Sequence, residues 1–261
     1  MKHICLLFTL IPLMMGIGET RNPFRIDILY DNVPYDRRLI NDWGFSCLVK
    51  YNGENILFDT GGNGKILLKN MQILGIDPKT VNMIFLSHSH GDHTGGLIEF
   101  LRVNHNLDVC LLKSFPERIK QEIRRVGARP IEIGNRPTKL REGIYSTGEL
   151  GGWIKEQALV LNSPEGAIVI TGCAHPGVVE IAKVAKEITG KKIFLLLGGF
   201  HLSGLSRSKI TDIALALKKL GVIKVAPTHC SGEKARLIFK EIFGKNYIPT
   251  GLGARIRGDT L

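Results

Sequence analysis

The run Ser87-His88-Ser89-His90-Gly91-Asp92-His93-Thr94-Gly95-Gly96 sets three imidazoles and a carboxylate within six residues. Neutral imidazole and carboxylate are the groups that zinc, iron and manganese take at neutral pH. Side chains of this kind cannot all enter an apolar core without leaving stranded polar groups, so the cluster reads as a metal site. His88 and His90 alternate and share one side of an extended segment, while Asp92 and His93 follow at a turn containing Gly91. A lone histidine is more often a core or surface residue, and that reading suits His105 in Asn104-His105-Asn106.

Three more histidines stand in similar glycine-flanked settings: Gly172-Cys173-Ala174-His175-Pro176-Gly177, Gly198-Gly199-Phe200-His201, and Pro227-Thr228-His229-Cys230-Ser231-Gly232. The elements that must position them are legible as short apolar runs. Val81 to Leu86 leads into His88, Gly166 to Thr171 into His175, Lys192 to Leu197 into His201, and Ile223 to Ala226 into His229. Helical patterns follow from Thr94 through about Leu101, over Val178 to Ile188 and over Glu233 to Phe243. Each histidine therefore lies just past a strand, at the carboxyl edge of a sheet, where loops aim side chains inward from a rigid scaffold. His88, His90, Asp92, His93, His175 and His229 are the candidate ligands, with His201 an active-site candidate beside them.

With these motifs quoted, the chain resembles the metallo-β-lactamase-fold superfamily from Phe24 to the C-terminus. Phe58-Asp59-Thr60-Gly61-Gly62 is similar to its first motif, His88, His90, Asp92 and His93 to the second, His175 to the third and His229 to the fifth. Gly44-Phe45-Ser46, Gly199-Phe200-His201-Leu202 and the segments around His175 and His229 narrow the resemblance further. They point to the branch of metal-dependent hydrolases related to the dihydropterin ribofuranosylaminobenzene-phosphate synthase.

The resemblance implies an α/β fold, a four-layer αββα sandwich, around one or two divalent ions, zinc foremost and manganese or iron as alternatives. His88, His90 and His175 would hold one ion, and Asp92, His93 and His229 the other. Asp59 and Thr60 would support the ligands from behind, and Asp92 would position the attacking water. The family usually has a bridging carboxylate at its fourth motif, and His201 stands in that place here. Imidazole bridges metals poorly, so His201 is expected to bind a substrate phosphate, donate a proton, or ligate one metal alone.

Two functions follow from this. One is a hydrolase that uses metal-activated water on an ester-type, anionic or phosphorylated small molecule. The other is a synthase or transferase acting on a phosphoribosyl substrate with a dihydropterin-type or aminobenzene acceptor. A redox protein on the same scaffold is disfavoured, because such relatives usually carry glutamate where this chain has His90.

Composition agrees with one enzyme domain over 24–261. The 261 residues are 44% hydrophobic, with no low-complexity tract or solenoid repeat. Strand-like runs at Ile26 to Tyr30, Phe45 to Tyr51, Asn55 to Phe58, Met83 to Leu86 and Gln157 to Leu161 join those above to suggest two packed sheets between helical layers. The segment at about 115–153 carries less pattern and more charge, reads as a variable basic stretch on a solvated face, and holds one helical run, Glu117 to Val126. A net charge of +11 gives a field that would steer anions. Its basic residues are scattered and lack interleaved aromatics, which argues against nucleic acid as partner.

Residues 1–18 form an apolar leader, Ile4 to Met15 broken by Pro12, with small residues before a cleavage point after Gly18. It is short for a membrane-spanning helix. An exported or membrane-tethered enzyme is the expectation, with a cytoplasmic one as the alternative. Cys47 and Cys110 fall in apolar strands and read as buried thiols. Cys173 and Cys230 adjoin candidate ligands, where packing is the favoured reading and soft ligation or an oxidisable pair the alternatives.

Overall fold

The computed structural model describes residues 24–261, so the leader lies outside the described residues. The first half of the chain lays down β1 (Arg25–Asp31), β2 (Phe45–Tyr51), β3 (Glu54–Phe58), α1 (Gly64–Ile73), β4 (Met83–Phe85), α2 (Gly91–Thr94), α3 (Leu97–Val103), β5 (Asp108–Leu112), α4 (Glu117–Arg125) and β6 (Arg129–Ile133). The second half contributes β7 (Thr138–Arg141), β8 (Ile144–Ser146), β9 (Leu159–Ser163), β10 (Gly166–Thr171), α5 (Val178–Thr189), β11 (Ile193–Gly199), α6 (Arg207–Leu220), β12 (Lys224–Thr228), α7 (Glu233–Phe243) and β13 (Arg255–Arg257).

Two sheets result. One has seven strands in the order β13-β1-β2-β3-β4-β5-β6, and the other six in the order β12-β11-β10-β9-β8-β7. Within the first, β3 to β6 run parallel; within the second, β10 to β12 do. The continuous apolar runs are explained by burial on both faces. In β10, Ile168 and Ile170 enter the core between the sheets, whereas Ala167 and Val169 pack under helices. Met83 and Phe85 of β4 likewise face the inner core while Ile84 and Leu86 face outward. α5, α6 and α7 cover one outer face through Ile181, Ala214 and Phe239, and α1, α3 and α4 cover the other through Leu67, Phe100 and Ile123. This is the four-layer αββα sandwich.

The helix over Glu233–Phe243 coincides with the periodicity of its residues, and α4 and α5 lie within one residue of theirs. The helical stretch expected from Thr94 to about Leu101 is found as α3, Leu97–Val103, preceded by the one-turn α2, Gly91–Thr94. The two glycines between them answer a packing requirement: a Cβ on Gly95 would lie 2.3 Å from the Gly62 carbonyl oxygen, and one on Gly96 at the same distance from that of Thr60.

The basic segment is woven into the fold. It supplies β6, an edge strand of the first sheet, and β7 and β8 at the edge of the second. Half-exposed edge strands carry charge and tolerate proline, so Arg129-Pro130-Ile131-Glu132-Ile133 shows no apolar run. Its cations are partly committed: Arg129 and Arg141 both bind Asp108, at 2.6 and 2.7 Å, and Lys120 binds Glu132 at 2.8 Å. Among the described residues no helix is long and apolar enough to cross a membrane.

Candidate metal centre

All six histidines of the four segments converge at the carboxyl ends of β4, β10, β11 and β12. The chain leaves β4 through Leu86 and Ser87 to reach His88, and turns through α2 to present Asp92 and His93. From the opposite sheet, His175, His201 and His229 follow β10, β11 and β12, which are neighbours. The His88 ring lies 4.6 Å from His90, 4.2 Å from His93 and 4.8 Å from His175, centroid to centroid. The rings of His93 and His229 are 5.0 Å apart.

The rings of His88, His93, His175 and His229 are each held by Nδ1. Asp59 Oδ1 accepts the Ser87 N–H at 2.7 Å, and its Oδ2 accepts both the Ser87 hydroxyl and His93 Nδ1–H at 2.7 Å. Because the Ser87 hydroxyl donates to Asp59, it accepts from His88 Nδ1 at 2.9 Å. Glu156 Oε2 accepts His175 Nδ1–H at 2.9 Å, and Asn32 Oδ1 accepts His229 Nδ1–H at 2.7 Å. The tautomers follow from this network. In these four rings Nδ1 carries the proton and Nε2 turns a lone pair inward, as carboxylate and amide partners arrange an imidazole toward a cation. The Nε2 atoms of His88 and His229 are buried and make no hydrogen bond. An orphaned buried lone pair is costly in a protein without a function for it.

Electrostatics favour the same fit. Burial, and then the charge of His93, pushes His88 down to about 3; burial, and then the charge of His229, pushes His93 down to about 4. Both are neutral at pH 7, the state in which imidazole ligates metals. Burial would raise Asp92, but the His229 and His93 rings, 3.4 and 3.5 Å away, hold its carboxyl well below the usual range. Burial pushes Asp59 up to about 8. A dication beyond His93 is the charge that would keep it ionised. Burial opposes Glu156 as well, yet the His175 side chain, the charge of His88 and the N–H groups of Ala174 and His175 bring it to about 2.

The donor atoms form compact sets. Asp92, His93, His229 and Cys173 offer ligand atoms within 4.8 Å of one another, as do His88, His175 and Cys173. His90 is exposed and stands at the rim of the second set, its ring 5.0 Å from that of His175. His201 is also exposed, with its ring 4.6 Å from His175, but its compact set is with Cys173 and Cys230. Thr60 acts on the backbone: its N–H and hydroxyl donate to the His93 carbonyl at 2.8 and 3.0 Å.

Local strain is concentrated here. Asp59, His201 and His229 have φ of 50°, 50° and 48°, left-handed conformations that cost non-glycine residues on the order of 1–3 kcal/mol each. Gly172 permits a very close approach, since a Cβ there would sit 2.1 Å from the Ser87 hydroxyl oxygen.

Four contributors were not anticipated as such. Glu156 accepts the N–H groups of Gly172, Cys173, Ala174 and His175 at 2.8–3.1 Å and so shapes the loop that carries His175. It lies in the charged stretch after Trp153, where no periodicity marks a buried acid. Asn32 and Ser87 act only through their neighbours. Cys173, for which packing was favoured, has its sulfur among the donors, 3.2 Å from His93 Nε2. Cys47 and Cys110 are buried thiols in β2 and β5.

The hollow around His105, lined also by Asn82, Asp108 and Arg129, lies at the amino ends of β4 to β6, away from this cluster.

Residues 44–179 match the profile of the metallo-beta-lactamase superfamily. The 7,8-dihydropterin-6-methyl-4-(beta-D-ribofuranosyl)-aminobenzene-5'-phosphate synthase of Methanocaldococcus jannaschii is 30% identical, over 90% of this chain and 96% of its own length. Among solved structures, a metal-dependent hydrolase of the beta-lactamase superfamily is 29% identical and superposes with a TM-score of 0.75, covering 89% of this chain and 98% of that one. The short form of human tRNase Z shares the fold at a TM-score of 0.62 and 15% identity, over 89% of this chain and 98% of its own. The agreement of profile, relative and fold shows that the chain belongs to the metallo-beta-lactamase superfamily.

Proposed function

We propose that this chain is a hydrolase that cleaves an ester-type bond in a small anionic, phosphorylated molecule at a pair of divalent cations, zinc foremost. The convergence of four anchored imidazoles with inward-facing Nε2 atoms on two adjacent donor sets carries this reading. His88, His90 and His175 would hold one cation, and Asp92, His93 and His229 the other. When bound, cations so placed lower the pKa of water and polarise a substrate oxygen.

The chain's own groups then supply position and protons. Asp92, whose side chain keeps 22% of its exposure, is placed to accept a hydrogen bond from the attacking water. His201 stands at the mouth, where it can protonate the leaving group. Its hydrogen bond with Cys230 raises its pKa, which favours the protonated ring that such a donor needs. Beside it, a hollow of about 410 Å³ is walled by Phe200, Leu202, Leu205 and Ile213 and bordered by Lys183. Such a site suits a molecule with an apolar body and a negative group. A net charge of +11 would draw it in.

A synthase reading is favoured by one observation, the 30% identity to the jannaschii synthase across most of both chains. In it, the same site would act on a phosphoribosyl substrate and release pyrophosphate. The test is to strip the protein and reload it separately with zinc, manganese and ferrous iron. Each form is then offered phosphodiesters, phosphomonoesters, thioesters and lactams. Hydrolysis that disappears in His88→Ala is the expected result. Inertness toward all four, with pyrophosphate formed from a phosphoribosyl donor and an aminobenzene acceptor, would replace the hydrolase with the synthase.

A further inference from the structure

Among the described residues there are three compact donor sets, and Cys173 is common to all of them. Its sulfur lies within 4.8 Å of the donor atoms of Asp92, His93 and His229 on one side and of His88 and His175 on the other. It is 3.2 Å from His93 Nε2, and the residue is only 4% exposed. A thiolate and an imidazole on one tetrahedral zinc, at bond lengths of about 2.3 and 2.0 Å, stand about 3.5 Å apart, so the spacing is near that of two ligands of one ion. A site between two cations needs a donor with more than one lone pair. Asp59 and Glu156 are consumed by hydrogen bonds to Ser87, His93 and the His175 loop, and Asp92 belongs to one set alone. His201 falls in neither set.

We propose that the Cys173 sulfur bridges the two cation positions, serving as the shared ligand of the centre. The inference rests on the two-cation reading above. On binding, the thiol gives its proton to solvent and the sulfur shares lone pairs with both ions; no electron transfer is involved. Cys230, whose sulfur is 3.7 Å from the Cys173 carbonyl oxygen, lies outside both sets.

X-ray absorption on the zinc-loaded wild-type protein tests this without a variant. The expected result is one sulfur per zinc at about 2.3 Å, with the remaining ligands nitrogen and oxygen at about 2.0–2.2 Å. Cobalt loading adds a second readout: the wild type and Cys230→Ser should show a thiolate-to-cobalt charge-transfer band, and Cys173→Ser should lose it. Two zincs with no sulfur in their shell would overturn the bridge, leaving the 3.2 Å contact as a hydrogen bond while the two-cation reading stands. Half a sulfur per zinc would reduce Cys173 to a terminal ligand and also refute it. Failure of the protein to bind metal would remove both.

Discussion

At the scale of residues, four of the six imidazoles give Nδ1 to the protein and turn Nε2 toward the donor sets. Glu156 shows how much can depend on a single carboxylate, since it fixes the His175 ring and four backbone N–H groups. Glu156→Gln is expected to lose about 3 kcal/mol in urea unfolding, because the His175 Nδ1–H then meets an amide in place of a buried carboxylate. Its pKa is depressed in the fold, so its contribution is present above the unfolded value of 4.5 and is lost as pH falls toward about 2. The wild type should therefore shed stability across that window, and the glutamine variant should be flatter there. His201 has the opposite sign. In the proposed role of proton donor, with its pKa raised by Cys230, it would support turnover at low pH and fail as pH rises through that pKa. In His201→Ala, pH–rate profiles should lose this alkaline limb, with kcat reduced by about 10²–10⁴ and metal content unchanged; a lost equivalent of metal would make it a ligand instead.

The residues with the strongest chemistry were the easiest to find. His88, His90, Asp92, His93, His175 and His229 stand in dense glycine-flanked motifs; the fold draws five of them into two compact donor sets shared with Cys173 and leaves His90 exposed at the rim. Asn32, Ser87 and Glu156 were invisible for a physical reason: their function lies in pairing with residues up to 197 positions away, and nothing in their local sequence announces it.

At the scale of elements, the decisive fact is that β10, β11 and β12 run parallel and end together. Their apolar runs were legible because both faces are buried. The edge strands β6, β7 and β13 were not, since half-exposed strands mix charge with apolar residues and lose any clear period. The turn after β10 is the most constrained point. In Gly172→Ala the new methyl would press on the Ser87 hydroxyl and, at 3.2 Å, on Asp59 Oδ2. Ser87 holds both Asp59 and His88, so the strain should reach the metal ligands. A fall in Tm of about 5–10 °C is expected from an overpacking cost of about 2–3 kcal/mol, with weaker zinc binding by competition against a chelator. An unchanged Tm would show that the loop moves freely and is not what fixes the site.

At the scale of the whole molecule, the sandwich serves as a frame whose two sheets each bring part of the site, and under the proposed function the charge of +11 would steer an anionic substrate. Raising ionic strength from about 0.01 to 0.15 M shortens the screening length from about 30 to 8 Å, so kcat/KM for an anionic substrate should fall several-fold while a neutral analogue is unaffected. The most direct test of the central claim is elemental analysis of the purified protein after metal loading and exhaustive dialysis. The account predicts two divalent ions per chain, one lost in His88→Ala and the other in His229→Ala. A folded wild-type protein that retains no stoichiometric metal would contradict it.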